Sequence, residues 1–176
     1  SLEKVPSSKR ATFLGEAYAL GSNAYEEDEK AREEIAQINK QIYTHDPEVM
    51  PLWKETRQWS LDYFDSIYRR LGTKFDRLYF ESEVYGPGKE IVLSHIADGI
   101  FTKDQGAIIF DGEKYRLHKR VFITKDGNAT YEAKEMGLGP LQFKEFPFDL
   151  ALHIVGPEQA GYITVTFKAL ELIDPR

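Results

Sequence analysis

Leu150-Ala151-Leu152-His153-Ile154-Val155, running into Gly156-Pro157-Glu158-Gln159-Ala160-Gly161-Tyr162, is the stretch that decides the fold class. Its first six residues are a nearly unbroken apolar run, the pattern of a buried parallel strand. Its polar second half opens a closing helix over 158–172, apolar at Ile163, Phe167, Leu170 and Ile173. A strand end that feeds a helix start is where open α/β sheets bind ligands. About twenty residues upstream lies a second polar cluster, Asp126-Gly127-Asn128-Ala129-Thr130-Tyr131-Glu132-Ala133-Lys134-Glu135. It turns at Asp126-Gly127 and opens a short helix over 130–138, ended by Gly139-Pro140. The expected class is α/β, α+β in appearance.

Outward from these clusters the chain becomes helical. Phe13, Ala17, Leu20 and Ala24 step along one face of a first helix, and Ala31, Ile35, Ile38 and Ile42 along a second. Thr44-His45-Asp46-Pro47 stops and restarts the chain, with Asp46 as N-cap and Pro47 at the first helical position. A long helix over 47–71 follows, with Trp53 and Trp59 read as core, and Gly72 closes it. The period then changes. Residues 75–80 read as a strand, Tyr85-Gly86-Pro87-Gly88 as a turn, and 89–100 as an amphipathic helix. Residues 106–110 and 115–123 form a β-hairpin about Asp111-Gly112.

Composition sets limits. The chain has 176 residues, 41% hydrophobic and 30% charged, enough for a real core. No apolar run reaches the roughly 20 residues of a membrane helix. There is no cysteine, which excludes disulfides and thiolate chemistry and fits a reducing compartment. The net charge of −6 excludes a strongly basic nucleic-acid footprint.

Little in the chain suggests metal or nucleophile chemistry. His45, His95, His118 and His153 are scattered without ligand spacing, and His95 and His153 read as packing residues. There is no nucleophile elbow and no Gly-rich phosphate loop. The polar clusters are more informative. Tyr131 and Glu135, four apart on one helix, share a face. Glu158 and Gln159 start the next helix. A phenol, carboxylates and an amide suit a guanidinium or ammonium group, which carries only donors. The competing reading makes Glu132 and Glu135 exposed helix residues paired with Lys134 or Lys144.

Four collinear segments resemble arginyl-tRNA synthetases: Asp46-Pro47-Glu48 leading to Leu52-Trp53-Lys54, Leu71-Gly72-Thr73-Lys74-Phe75-Asp76 with Glu81-Ser82-Glu83, the 126–135 cluster, and His153-Ile154-Val155-Gly156-Pro157-Glu158-Gln159. They span residues 45–176. The resemblance implies part of a class I synthetase catalytic domain of Rossmann type: a helical insertion over 1–74, its strand–helix–hairpin part over 75–125, and the second-half strand and helices over 126–176. It implies that Tyr131, Glu135 and Gln159 bind arginine and that Gly156 and Glu158 lie at ATP. Many members carry Asp at the Glu135 position, His at Gln159 and Pro at Ala129.

The class I signatures His-Ile-Gly-His and Lys-Met-Ser-Lys-Ser do not occur in this sequence. The expectation is therefore a central piece of a longer cytoplasmic arginine–tRNA ligase, inactive alone. ATP, with Mg2+ accompanying it, arginine and tRNA would be partners of the parent enzyme, and the tRNA contacts would lie mostly elsewhere. The alternatives are a non-catalytic α/β interaction module and a degenerate synthetase paralogue.

Overall fold

The computed structural model describes residues 2–175. Its backbone contacts divide into two units, Ser1–Asp76 and Arg77–Arg176.

The first unit is helical: α1 (Arg10–Glu27), α2 (Glu29–Tyr43) and α3 (Met50–Leu71). The breaks follow local chemistry. Asp28 ends α1 and caps α2, its carboxylate accepting from the backbone N–H of Lys30 at 2.9 Å. Asp46 caps the next start through the N–H of Glu48, also at 2.9 Å. Regular α-helix begins only at Met50, because a turn over residues 47–49 precedes it. Gly72 closes α3 with φ +68, a left-handed position natural to glycine. Trp59 is the buried centre of α3. The Arg10 guanidinium lies 4.4 Å over its ring, and Phe13 meets it edge-on at 6.4 Å.

The second unit contains α4 (Glu81–Ser94), β1 (Thr102–Asp104), β2 (Ala107–Phe110), β3 (Arg120–Ile123), α5 (Tyr131–Glu145) and α6 (Ala160–Ile173). The strands form an antiparallel sheet in the order β1-β2-β3. The expected hairpin of residues 106–110 and 115–123 is present as β2 and β3, paired Ile108 to Ile123 and Ile109 to Val121, with an irregularity between Ile108 and Ile109. Its connection contains a 3-10 turn, Glu113–Tyr115. Strand β1 is an addition to the sequence reading. Gln105 and Gly106, with φ of 47 and 85, make the tight turn that joins it to β2.

One core serves this unit. Phe101, Phe110 and Phe122 are fully buried among Val92 of α4, Ala133 and Met136 of α5, and Val165 and Ala169 of α6. Phe101 and Phe122 have ring centroids 4.9 Å apart. An exposed clamp ties the entry to α4 onto the end of α5: Arg77 pairs with Glu83 at 2.5 Å and Glu145 at 3.2 Å, and the Tyr79 hydroxyl donates to Glu145 at 2.9 Å.

Three sequence expectations are corrected. The strand expected over 75–80 is irregular, without a ladder partner. The buried parallel strand expected over 150–155 is likewise irregular and exposed: Leu152 is 80% and Ile154 98% accessible. A strand exists through its neighbour's hydrogen bonds, and neither segment pairs with β1, β2 or β3. The third correction concerns helix limits. Gly86-Pro87-Gly88, expected as a turn, lies inside α4, and Gly139-Pro140, expected as a stop, lies inside α5. Tertiary packing overrides the breakers because α4 and α5 cross where Gly88 faces Ala133 and Gly137 faces Val84.

Candidate functional site

The start of α5 is fastened to β3. Thr130 donates its N–H to the carbonyl of Phe122 at 3.0 Å, and its hydroxyl lies 2.8 Å from the carbonyl of Val121. Gly127, with φ +79, makes the turn between them, and Ile123 bridges to Ala129. The first turn of α5 is thus set by the sheet, and with it the positions of Tyr131, Glu132 and Glu135.

These three differ in surroundings. Tyr131 is exposed, with the Lys134 ammonium 4.9 Å from its ring centroid. Lys134 in turn pairs with Glu81 at 2.5 Å. Glu132 is buried at 8% accessibility, its carboxylate 3.7 Å from the Arg120 guanidinium. Glu135 is half-buried, and it makes no hydrogen bond or ion pair among the described residues. Burial alone raises its pKa above the ordinary glutamate value. Glu132 and Glu135 therefore do not pair with Lys144, and Lys134 serves Glu81 instead.

From α6, Tyr162 faces this group. Its phenol pKa is raised first by burial, then by Glu135, Glu132 and Tyr131 in turn. Helices α5 and α6 pack against each other, and these four groups near the two helix starts act on one another electrostatically. Tyr162 belongs to the polar cluster the sequence singled out, but spacing alone does not connect it to Glu135. The connection is tertiary.

The remaining expected site residues lie on the exposed turn before α6. Gln159 accepts through Oε1 from the N–H of Gly156 at 3.3 Å, and the Glu158 carboxylate covers the open face of Gly156. No hydrogen bond or ion pair joins Glu158 or Gln159 to Tyr131 or Glu135 among the described residues. The site thus has two parts, an acidic–phenolic cluster at the starts of α5 and α6 and a self-capped turn. The imidazoles are elsewhere. His95 is half-buried with Nδ1 2.9 Å from the Ile91 carbonyl, and exposed His153 rests against the Phe167 ring at 4.9 Å. No group of three or more His, Asp or Glu could hold a metal ion among the described residues.

Two glutamates of this unit, Glu135 and Glu145, titrate with opposite consequences. Glu135 is raised by burial, so its protonation favours the folded chain. That contribution is complete below the ordinary glutamate value and is lost as pH rises through the raised one. Glu145 is lowered, chiefly by its hydrogen bonds from Arg77 and Tyr79. Its contribution is present above the ordinary value and is lost as pH falls through the lowered one. Carboxyl-carbon NMR titration is expected to place the Glu135 midpoint above that of Glu145. The reverse order would contradict the burial and the clamp.

Over residues 3–174 the chain matches the family described as tRNA synthetases class I (R), catalytic domain. It belongs to that family. It is 32% identical over 166 residues to an arginine–tRNA ligase of Treponema denticola, covering 93% of this chain and 28% of that protein. An arginine–tRNA ligase of Porphyromonas gingivalis is 34% identical over 121 residues, 68% of this chain and 20% of that protein. The chain thus spans about a quarter of the length of such relatives. A crystal structure of arginyl-tRNA synthetase from Plasmodium falciparum superposes with a TM-score of 0.67 at 15% identity, over 81% of this chain and 25% of that one. At that identity the likeness shows the fold. It agrees with the α/β synthetase class expected from the four collinear segments. The helix-rich appearance arises because the sheet present is small and antiparallel. No described helix is long and apolar enough to cross a membrane.

Proposed function

We propose that the chain is the arginine-recognition segment of a cytoplasmic arginine–tRNA ligase, with Tyr131 and Glu135 contacting the guanidinium. The observation that carries this is Glu135 itself, a half-buried carboxylate without an ion-pair or hydrogen-bond partner, on the same helix face as Tyr131. An unpaired carboxylate in such a position is costly for the free protein, and a charged donor-only ligand relieves it. The family supplies the ligand chemistry. Gln159 then flanks the amino acid, while Gly156 and Glu158 lie toward ATP, the carboxylate accepting from ribose hydroxyls.

The reaction of the parent enzyme would join arginine to ATP and then to tRNA, and this chain contributes binding and orientation. Mg2+ gains no cage from the described residues, since no three ligating side chains converge. It would arrive with the nucleotide phosphates. The alternatives, a non-catalytic interaction module and a degenerate paralogue, lack a specific observation in their favour.

Titrating the chain with arginine while following the Tyr131 and Glu135 resonances tests the reading. Shifts at both residues that saturate by millimolar arginine are expected, together with no arginine-dependent pyrophosphate–ATP exchange. Absence of any shift sinks the arginine assignment, and exchange well above blank sinks the division of labour.

A further inference from the structure

Two carboxylates, Glu132 and Glu135, stand three residues apart at the start of α5, yet a site for one guanidinium needs one net negative charge. With two free carboxylates it would hold any cation, ammonium as readily as guanidinium, and their repulsion would favour protonating one of them. The structure places a third residue here that the proposed function does not use. Arg120, the first residue of β3, brings its guanidinium between the two helix starts. One terminal nitrogen, Nη1, lies 3.7 Å from Glu132 Oε1. The other, Nη2, lies 3.5 Å from where a side chain on Gly161 would begin. Its Nε is buried and makes no hydrogen bond.

Nη1 stands at ion-pair rather than hydrogen-bond distance, and Nε has no acceptor. The guanidinium therefore acts here by its charge and bulk, not as a bidentate fork. Both effects are fixed by the fold, because β3 also anchors α5 through Thr130.

We propose that Arg120 is a positioning residue for specificity: it pairs with Glu132 and spaces α5 from Gly161 of α6, leaving Glu135 as the one carboxylate of the α5 start without an ion-pair partner. This rests on the assignment of Tyr131 and Glu135 to arginine. The groups facing Tyr162 are then Glu135, Glu132 and Tyr131, with Arg120 beside Glu132. Specificity comes from removing an attractive charge that any cation would exploit.

The test uses the 176-residue chain, the Arg120→Gln variant and the double variant Arg120→Gln/Glu132→Gln, with labelled tyrosine. Two readouts are followed: the pH titration of the Tyr162 phenol, and the ratio of arginine to lysine affinity. In Arg120→Gln the Tyr162 midpoint is expected to rise, and the affinity ratio to fall about fivefold or more as lysine gains. In the double variant the affinity ratio is expected to return, and the Tyr162 midpoint to fall to the parent value or below it, because Glu132 no longer raises it. A structural role alone would not produce recovery when a second residue is removed.

An unchanged Tyr162 titration in Arg120→Gln, or a double variant whose arginine-to-lysine ratio is no closer to the parent than the single's, overturns the proposal. If Arg120→Gln does not fold, the double variant decides: a Tyr162 midpoint at or below that of the parent, with the parent's arginine-to-lysine ratio, supports the charge pair, and a midpoint above the parent or a changed ratio overturns it. If the unsubstituted chain binds no arginine, the arginine reading fails. The Tyr162 titration still judges Arg120.

Discussion

Alanine at Gly137 is expected to destabilise the chain by about 3 kcal/mol, lowering Tm by roughly 6–12 °C for a protein of this size. In an ordinary helix interior Gly→Ala stabilises by roughly 1 kcal/mol, because glycine loses more backbone freedom. Here the sign reverses. A Cβ on Gly137 would stand 2.6 Å from the Val84 carbonyl oxygen and 2.8 Å from the Gly88 backbone nitrogen. Both obstacles are main chain within a helix, so they cannot rotate away, and α4 and α5 would have to separate. That separation would open the core around Val92, Ala133 and Met136. Gly88→Ala is expected to cost at least as much, since its Cβ would fall on the Ala133 carbonyl. Gly86→Ala is the control, because nothing lies within 4 Å of its Cβ position. Thermal and urea unfolding measure all three. A Gly137→Ala chain as stable as the parent would mean that the two helices do not cross this closely.

Glu135→Gln is expected to weaken arginine binding by roughly 10- to 100-fold, as for loss of a hydrogen bond to a charged group, about 1.5–3 kcal/mol. The same substitution is expected to leave stability at neutral pH unchanged or slightly raised. Glu135 has no folded-state partner to lose, and burial already disfavours its charge. This opposition separates a binding residue from a structural one, since loss of stability and loss of binding would otherwise move together. Glu135→Asp keeps the charge on a shorter stem and is expected to retain arginine binding within about tenfold. Calorimetric titration at neutral pH, paired with thermal unfolding, reads both. Unaltered arginine affinity in Glu135→Gln would remove this residue from the site.

The start of α5 also shows why one helix start could be read from sequence and its chemistry could not. Asp126-Gly127 and Thr130 mark the turn and the entry to α5 by local rules, and the structure fills both roles as expected. The spacing of Tyr131 and Glu135 puts them on one face wherever that helix lies. The spacing of Glu132 gives no hint that it is buried against Arg120, which is 12 residues away in sequence and on another element. The same limit applies to Tyr162. Its nearness to Glu135 depends on the packing of α5 against α6, and that packing depends on Val165, Ala169, Ala133 and Met136 meeting in one core.

The sequence alone determined the helices of the first unit, the caps at Asp46 and Gly72, the Asp111-Gly112 hairpin, and four segments that mark the family. These depend on neighbours a few residues away, where capping, turn chemistry and periodicity act. Tertiary structure decided the rest. It carried α4 through Pro87 and α5 through Pro140, because the glycines there admit a helix crossing worth more than the lost hydrogen bonds. It left residues 150–155 unpaired, because an apolar run becomes a strand only beside another strand. It also separated the two carboxylates at the start of α5, pairing Glu132 with Arg120 and leaving Glu135 free, because charge balance is set by what folding brings near and not by order along the chain.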